Sequence, residues 1–326
     1  MVAICILNWN NWLETIKCLE SSFAQTNPAE AIVVVENGSQ NESLHEIQNW
    51  LESNAPRAGY SLSCHSCSAT GQVERITPSR LGRRSVLLIR STKNRGYSGG
   101  FNLALRALYQ AAVPDYVVLL NSDALLRNDF VANLVQRGRE YRSDIGLIGP
   151  RILDTENGSD WQRPERYRPS VWLLPLRALL IRRARNPRGV WSMLYQKFWY
   201  TEAIPGEVFM VHGACLVLTT AYLMGQPELD EHLFLYWEEA TLSEEISRKG
   251  LRVWFDPHLV VRHGWGKSTT TAQKSEYLAT STKYYFEEIR QIGPIAKAYL
   301  YVYLWVLQCL RAMMERLNRG RGAGGS

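Results

Sequence analysis

The fold class of this chain is indicated by residues 116–123, which run Tyr116-Val117-Val118-Leu119-Leu120-Asn121-Ser122-Asp123. Five apolar residues end in three small polar ones, a pattern that predicts a strand buried on both faces with its carboxyl end open to solvent. In open α/β sheets, ligands bind in the crevice just outside the carboxyl ends of the strands. We therefore expect Asp123 in that crevice, where its carboxylate suits Mg²⁺ or Mn²⁺ bridging a diphosphate. The alternative is that residues 121–123 only cap the following helix.

The composition is that of a folded globular protein with an unusual share of aromatic residues. Hydrophobic residues make up 46% and charged residues 21% of 326 positions, enough for one large α/β domain or two modest ones. Eleven Trp and sixteen Tyr suggest a stacking surface, a sugar site or a membrane interface. The net charge of +6 favours anionic partners such as phosphates or lipids. It is mild, and no nucleic-acid motif accompanies it, so no nucleic-acid partner is expected.

The amino terminus and the cysteines predict a cytoplasmic protein. Residues 1–7 enter an apolar strand at once, without the basic start and long apolar run of a signal peptide. Six scattered cysteines fit a reduced compartment. Cys64 and Cys67 have the spacing of a metal-binding pair, and because no second pair follows, a structural zinc there is a minor alternative.

Strands and helices alternate in the first half of the chain. Apolar runs at 2–7 and 31–35 predict buried strands, and apolar residues at helical spacing between 12 and 23 predict a crossover helix. This alternation is typical of a parallel sheet with right-handed crossovers. Residues 54–84, rich in Ser, Pro, Gly and Arg, predict a loop.

A glycine-rich segment, Asn94 to Asn102, precedes a predicted helix at 103–109. Glycines before a helix amino terminus let backbone N–H groups approach a phosphate closely. A plain tight turn is the alternative. The spacing is not Gly-x-Gly-x-x-Gly, which disfavours a dinucleotide site.

A polar pair and a single histidine follow predicted apolar runs in the second half of the chain. Glu238 and Glu239 follow an aromatic run, and His263 follows a short predicted strand. The two glutamates could instead be a solvated helix start, since acidic residues favour the helix dipole there. The histidine could simply bond backbone groups at the end of its strand.

These motifs, in this order, resemble family 2 glycosyltransferases, and most closely the rhamnosyltransferase-like branch that builds bacterial surface polysaccharides. The resemblance covers most of residues 1–270. It rests on an Asn-Trp-Asn opening, an acidic residue before Asn-Gly-Ser, a glycine-rich loop, an Asp-x-Asp-type motif, an acidic pair and a late histidine. In this chain they are Asn8-Trp9-Asn10, Glu36-Asn37-Gly38-Ser39, Asn94 to Asn102, Asn121-Ser122-Asp123, Glu238-Glu239 and His263.

The acidic segment departs from the family pattern at two positions. The family commonly has Glu-Asp-x-Asp-Leu, with an arginine four positions after the second aspartate. Here Thr241 stands in place of that aspartate and Glu245 in place of the arginine. Both differences concern the acceptor pocket and turnover, and they keep open the alternative of a non-catalytic protein that binds nucleotide-sugars or glycans.

The resemblance implies a GT-A fold, in which a Rossmann-like, mostly parallel sheet is flanked by helices. Residues 1–150 would form the nucleotide-sugar-binding half, 151–270 the acceptor-binding and catalytic half, and 271–326 an amphipathic helical tail. The implied activity is inverting transfer of a sugar from dTDP-rhamnose or a UDP-sugar to a hydroxyl of a glycan or lipid-linked glycan. A sugar nucleotidyltransferase is less favoured, because residues 8–14 contain none of the Lys or Arg that would clamp phosphates.

The resemblance also assigns roles to individual residues. Glu239, or else Glu238, would be the base that deprotonates the acceptor hydroxyl. Asp123 and His263 would hold Mg²⁺ or Mn²⁺ at the leaving diphosphate. The nucleotide-sugar would be positioned by Asn8, Glu36, Asn94, Gly99, Gly100, Asn102, Asn121 and Ser122.

The carboxyl-terminal region predicts contact with a membrane surface. Residues 298–310 are almost wholly apolar, include four aromatics, and are followed by four arginines. This run is shorter than the roughly 20 residues of a spanning helix, but it suits a helix lying in the interface with arginines on anionic phosphates. We therefore expect peripheral contact with the inner face of the cytoplasmic membrane, with the basic, aromatic segment 172–199 as a second contact. The alternative is that the tail packs on the protein's own core or forms a dimer seam.

Overall fold

A twisted sheet of ten strands runs through the part of the chain that the computed structural model describes, which is residues 1–76, 84–155, 158, 164–183, 204–264 and 271–322. The strands are β1 (Val2–Asn8), β2 (Ala31–Asn37), β3 (Ser61–Ser66), β4 (Ser85–Ser91), β5 (Tyr116–Asn121), β6 (Ala124–Leu126), β7 (Ile145–Asp154), β8 (Gly206–Val208), β9 (Cys215–Thr219) and β10 (Arg252–His263). The helices are α1 (Trp12–Phe23), α2 (Ser43–Asn54), α3 (Gly96–Tyr109), α4 (Phe130–Gly138), α5 (Leu174–Arg183), α6 (Thr220–Leu223), α7 (Glu238–Arg248), α8 (Thr271–Tyr284) and α9 (Pro294–Gly322). A single 3₁₀ turn (Val171–Leu173) precedes α5, and a π-helical turn (Tyr285–Ile289) follows α8.

The predicted α/β fold with a mostly parallel sheet is confirmed. The strand order is β3-β4-β2-β1-β5-β9-β7-β10-β6, with β8 beside β10. The first five strands in that order are mutually parallel, and β9 runs antiparallel between β5 and β7. The sheet is continuous across residue 150, where a boundary between two halves was expected, because that residue lies within β7.

Both faces of the sheet are covered, which explains the uninterrupted apolar runs of its central strands. Every residue of β2 is buried. Alternate residues of β1 enter two different cores, so that Ile4 and Ile6 pack with α1, α2 and α4, while Ala3 and Cys5 pack with α3. Helix α7 joins the second of these cores through Leu242 and Ile246.

Strand register brings the polar strand ends together at one edge of the sheet. Asn8 lies opposite Glu36 at the carboxyl ends of β1 and β2. Leu7 pairs with Asn121, the last residue of β5. At the far side of the sheet His263, which ends β10, pairs with Ala124, the residue after Asp123. The register therefore gathers residues from both ends of the sequence along a single edge.

Two local predictions were wrong. The region expected to be a loop contains the edge strand β3, whose weak apolar pattern reflects the fact that only one of its six residues is buried. Helix α3 begins at Gly96 rather than near residue 103, so the glycine-rich segment is largely helical.

The two cysteines with metal-like spacing lie in different environments. Cys64 is exposed on β3 while Cys67 is buried just beyond it, as strand alternation requires. In the described ranges, no three His, Cys, Asp or Glu residues cluster as a metal site.

The carboxyl-terminal helices enclose a third, smaller core. Tyr285 and Phe286 in the π-helical turn and Leu300 in α9 are buried there against Val171, Leu174 and Ala240. The opposite side of α9 exposes apolar residues at helical spacing, including Val302, Trp305, Val306, Leu310 and Met313. Among the described residues, no helix is both long enough and apolar enough to cross a membrane. Residues 184–199 of the expected second membrane contact lie outside the described residues.

We predict that Gly149→Ala destabilises the fold, because Gly149 lets the loop before β9 lie directly on β7. A Cβ at this position would lie 2.3 Å from Cβ of Val211, which is buried. Overpacking of this kind costs about 1–3 kcal/mol, so thermal unfolding should occur at a lower temperature. Gly225→Ala is the control, since an added Cβ there meets no atom within 4 Å. Equal melting temperatures for the two variants would contradict this role of Gly149.

Candidate active site

The predicted metal pair comes together at the edge of the sheet. Asp123 lies in the short connection between β5 and β6, and His263 is the last residue of β10. His263 Nε2 is 3.1 Å from Oδ1 of Asp123. The two residues are 140 positions apart in sequence, and the antiparallel pairing of β6 with β10 joins them.

A histidine that the sequence analysis did not select lies beside this pair. The rings of His212 and His263 are 5.7 Å apart, and Nδ1 of His212 accepts a hydrogen bond of 3.1 Å from the amide of Ala214. That bond leaves the proton of the neutral ring on Nε2. Burial and the neighbouring His263 lower the pKa of His212 to about 3, so the ring is neutral at physiological pH.

The backbone of Gly213 connects this region to the acidic pair. Its amide donates a 3.0 Å hydrogen bond to Oε1 of Glu239, and its carbonyl accepts a 2.7 Å bond from the hydroxyl of Tyr97. A Cβ at Gly213 would lie 2.3 Å from that glutamate oxygen, so only glycine allows this approach. One residue thus joins α3, α7 and the loop that carries His212.

Glu238 and Glu239 occupy different environments although they are adjacent. Glu238 is buried, and desolvation together with the charge of Glu239 raises its pKa to about 8. Burial also raises the pKa of Glu239. The bond from Gly213 opposes that shift, because it stabilises the ionised carboxylate. The pair therefore favours a protonated Glu238 beside an ionised Glu239.

The backbone before the acidic pair is strained. Tyr236 and Trp237 have φ angles of 73° and 69°, in the left-handed region that non-glycine residues seldom adopt. Trp237 is held by stacking on Tyr285, with ring centroids 4.6 Å apart, and its indole N–H donates a 2.8 Å bond to Thr282. Strain of this kind persists only where the surroundings over-determine it. The third core supplies those surroundings.

A polar cleft of about 480 Å³ opens at the carboxyl ends of β1, β2 and β4. Glu36 lies at its base, mostly buried, and its Oε1 accepts a 2.8 Å bond from the amide of Ser39. Of this lining, Glu36 and Asn94 were predicted from the sequence to bind the donor, and Trp9, Gly38 and Ser39 belong to motifs without an assigned role. The remaining lining residues are Gln40, Asn41, Leu44, Arg90, Ser91, Thr92 and Lys93.

Several residues predicted to bind the donor are engaged by the protein itself. Asn8 is fully buried, and its carbonyl oxygen accepts a 2.8 Å bond from the Thr15 hydroxyl. Asn94 accepts bonds from the side chain of Asn37 and the amide of Gly96. These side chains shape the cleft by fixing the loops around it.

The later residues of the glycine-rich segment lie away from the cleft lining. Gly99 and Gly100 are buried in the first turns of α3, where a Cβ on Gly100 would lie 2.4 Å from Leu7. Asn102 is fully buried and exchanges two hydrogen bonds with the backbone of Leu229. The glycines thus allow α3 to pack closely on β1. Asn121 and Ser122 are partly exposed at the sheet edge beside Asp123.

The Asp123–His263 pair fits a divalent ion held jointly with a substrate. A carboxylate oxygen and an imidazole nitrogen are both ligands that Mn²⁺ accepts, and ions of this kind are often completed by phosphate oxygens and water. His212 lies close by, but its Nδ1 accepts a backbone hydrogen bond and its Nε2 carries the proton. It is therefore placed to shape the site and not to ligate the ion.

Most of the site residues that could not be selected from the sequence nevertheless had recognisable signals in it. His212-Gly213-Ala214 interrupts an apolar run in the same way that residues 121–123 end one. Arg90 and Lys93 follow the apolar run of β4 at the same edge of the sheet. Tyr97 carried no signal, because its role depends on a hydrogen bond to a residue 116 positions away.

Comparison with solved structures identifies one glycosyltransferase whose fold this chain shares. The mannosyltransferase PcManGT from Pyrobaculum calidifontis, solved with GDP-Man and Mn²⁺, superposes with a TM-score of 0.56 at 16% identity, over 100% of this chain and 76% of that one. Residues 1–349 of S. aureus TarS give a TM-score of 0.49 at 11% identity, over 90% and 73% of the two chains. The first likeness shows a shared fold, and the second is too weak to support a conclusion.

Sequence comparison gives a distant relative. The low-salt glycan biosynthesis hexosyltransferase Agl10 of Haloferax volcanii is 22% identical over 173 residues, which are 51% of this chain and 47% of that protein. The match thus spans about half the length of this curated relative. No protein-family model matches the chain.

Proposed function

We propose that this chain is an inverting, metal-dependent glycosyltransferase that moves a sugar from a nucleotide-sugar to a hydroxyl of a glycan or lipid-linked glycan in surface polysaccharide synthesis. The observation that carries the proposal is the series of contacts from Asp123 through His263, His212 and Gly213 to Glu239. This series of contacts joins the candidate ion ligands to the candidate base. The polar cleft lies at the same edge of the sheet.

The cleft is proposed to bind the nucleotide. Glu36 offers a carboxylate oxygen to N–H groups of a base or hydroxyls of a ribose, and Trp9 offers an aromatic face for stacking. Arg90 and Lys93 supply positive charge for phosphate oxygens. The resemblance to rhamnosyltransferases suggests dTDP-rhamnose or a UDP-sugar as donor. The structural likeness to a mannosyltransferase solved with GDP-Man adds GDP-mannose to the candidates.

Glu239 is proposed to accept the proton of the acceptor hydroxyl as its oxygen attacks the anomeric carbon. Its carboxylate meets the loop beside His212, whereas Glu238 faces the interior behind it. Direct attack on the face opposite the leaving diphosphate inverts the anomeric centre. A divalent ion held by Asp123 and His263 would neutralise charge on that diphosphate.

The exposed side of α9 is proposed to contact the membrane from the cytoplasmic side. Its outward residues are apolar and include Trp305, which is 64% exposed, and arginines follow in the sequence. Leu173 and Leu176 near the start of α5 are exposed as well, and the ring of Tyr299 in α9 packs at a tilt against Trp172 just before that helix. Such a surface lies close to the core that holds Trp237, so a lipid-linked acceptor would reach the acidic pair from this side.

Asp123→Ala should abolish Mn²⁺-dependent donor binding, because it removes the only carboxylate of the proposed ion pair. The measurement is thermal stabilisation of the protein by dTDP-, UDP- and GDP-sugars, each with Mn²⁺ and with EDTA. Asp129→Ala, which removes an exposed carboxylate at the start of α4, is the control and should behave as wild type. Equal donor stabilisation of the wild type in Mn²⁺ and in EDTA would exclude the metal role.

Glu239→Gln should lower sugar transfer by roughly two to four orders of magnitude, because the amide keeps the oxygen that faces Gly213 but cannot accept a proton. Donor stabilisation should stay near the wild-type value, and Glu207→Gln, at an exposed position, should leave transfer unchanged. Transfer by Glu239→Gln at the wild-type rate would disprove the assignment of the base. Donor binding by the wild type without any transfer would instead support a non-catalytic binding protein.

The double variant Val302→Ser with Trp305→Ser should lose binding to anionic liposomes while it remains folded, because both residues are exposed and Leu300, Tyr299 and Tyr303 still pack in the third core. Co-sedimentation at low salt measures this binding. Met224→Ser replaces an equally exposed apolar residue elsewhere and should sediment like the wild type. If the wild type does not sediment with such liposomes, the membrane proposal is wrong.

A further inference from the structure

A narrow cavity lies behind the acidic pair, between α3, α7 and the segment before α7. Glu238 and Thr241 line its inner part, together with Ser98 from α3. The space open to the centre of a water molecule is about 10 Å³, which is close to the smallest volume that holds one ordered water. The cavity thus has the size of a single-water site.

Two buried polar atoms in the cavity wall lack a partner in the described part of the protein. They are Oε2 of Glu238 and Oγ1 of Thr241, in side chains of residues that are 8% and 6% exposed. Residues three apart in a helix share a face, so both atoms approach the same space. A buried polar group without a hydrogen bond costs free energy, and an ordered water commonly supplies the missing bond.

The cavity also extends toward solvent. Asp230 and Glu245 line its outer part, and their side chains are 20% and 33% exposed. A partly exposed carboxylate is able to accept a proton from a water molecule and to pass it to bulk solvent. The described lining thus runs from a buried carboxyl group to two partly exposed ones.

We propose that this cavity is the proton exit of the active site, with one ordered water held between Glu238 and Thr241. This inference rests on the proposed glycosyltransferase function. As the acceptor oxygen bonds to the anomeric carbon and the bond to diphosphate breaks, the acceptor proton moves to Glu239. Glu238 releases its own proton through the water to Asp230 or Glu245 and so to solvent, then takes the proton from Glu239. One proton leaves per transfer, and both glutamates return to their starting states.

The charged and titratable groups around Glu238 support a proton-holding role. They are Glu239 and Glu245 on its own helix, Tyr97 on α3, and Asp230 and Tyr236 in the preceding segment. The described lining contains no Lys or Arg. The two departures from the family pattern, Thr241 and Glu245, both face this cavity. Position 245 holds an acid, and the described lining holds no cation that would keep Glu238 ionised, in agreement with the raised pKa of Glu238.

The protonation of Glu238 can be tested without turnover. Because its pKa rises from 4.5 when unfolded to about 8 when folded, the folded protein holds the proton more tightly between these pH values. The contribution of protonated Glu238 to the free energy of unfolding is complete below pH 4.5 and is lost as the pH rises toward 8. Glu238→Gln should therefore reduce the fall in melting temperature over this range. At pH 7, the infrared difference spectrum between wild type and variant should show one buried protonated carboxyl group. An ionised Glu238 at pH 7 would overturn the proposal.

The water site is tested by the pair Thr241→Val and Thr241→Ser. Valine keeps the shape but removes the hydroxyl, so transfer should fall by about five- to tenfold, the equivalent of one hydrogen bond. The solvent deuterium isotope effect should increase and donor KM should not change, while serine should restore both rate and isotope effect. Wild-type rate and isotope effect in Thr241→Val would overturn the exit route. If the wild type transfers no sugar, the proposed function and the exit fail together, whereas the infrared band still decides the state of Glu238.

Discussion

The hydrogen bonds at Gly213 connect the parts of the molecule on which its chemistry would depend. The amide faces Glu239 on α7, and the carbonyl faces Tyr97 on α3. The same loop lies on Gly149 of β7 through Val211 and places His212 against His263. Because a single loop makes all these contacts, movement of the loop would displace Glu239, His263 and the start of α3 together. The absence of a Cβ at positions 149 and 213 is what allows the loop to lie so close.

The acidic pair is held from the opposite side by the third core. Helix α8 contacts the segment before α7 repeatedly, with Tyr277 stacked on Phe234, Ser281 bonded to the carbonyl of Leu235, and Thr282 bonded to Trp237. Phe234 in turn accepts a bond from the amide of Tyr97. The segment is thus fixed between the start of α3 and the carboxyl-terminal helices. This two-sided support explains how two consecutive left-handed residues are maintained directly before the glutamates.

Sequence reasoning could predict the features that follow from local pattern. The strand before residues 121–123 was correctly located, because apolar runs and their polar ends are local signals. A helix start at Glu238 and Glu239 was only the alternative interpretation, and the structure has both residues in the first turn of α7. The parallel sheet followed from the alternation of strands and helices. Strand β3 was missed because an edge strand buries little, and the start of α3 was misplaced because glycines in a helix resemble a turn. The importance of Tyr97 and Gly213 depends on contacts between distant residues, which no local pattern records.

The tail shows why an apolar sequence run does not by itself distinguish burial from membrane contact. In α9, Ala296, Tyr299, Leu300, Tyr303 and Leu304 pack against the third core. Val302, Trp305 and Val306 are exposed on the other side of the same helix. Core packing and a membrane surface were alternatives at the level of sequence, whereas a helix with apolar residues on both sides has room for both. Because its inner face packs in the core that holds Trp237, any partner of the outer face would lie one helix thickness from the residues that position the acidic pair.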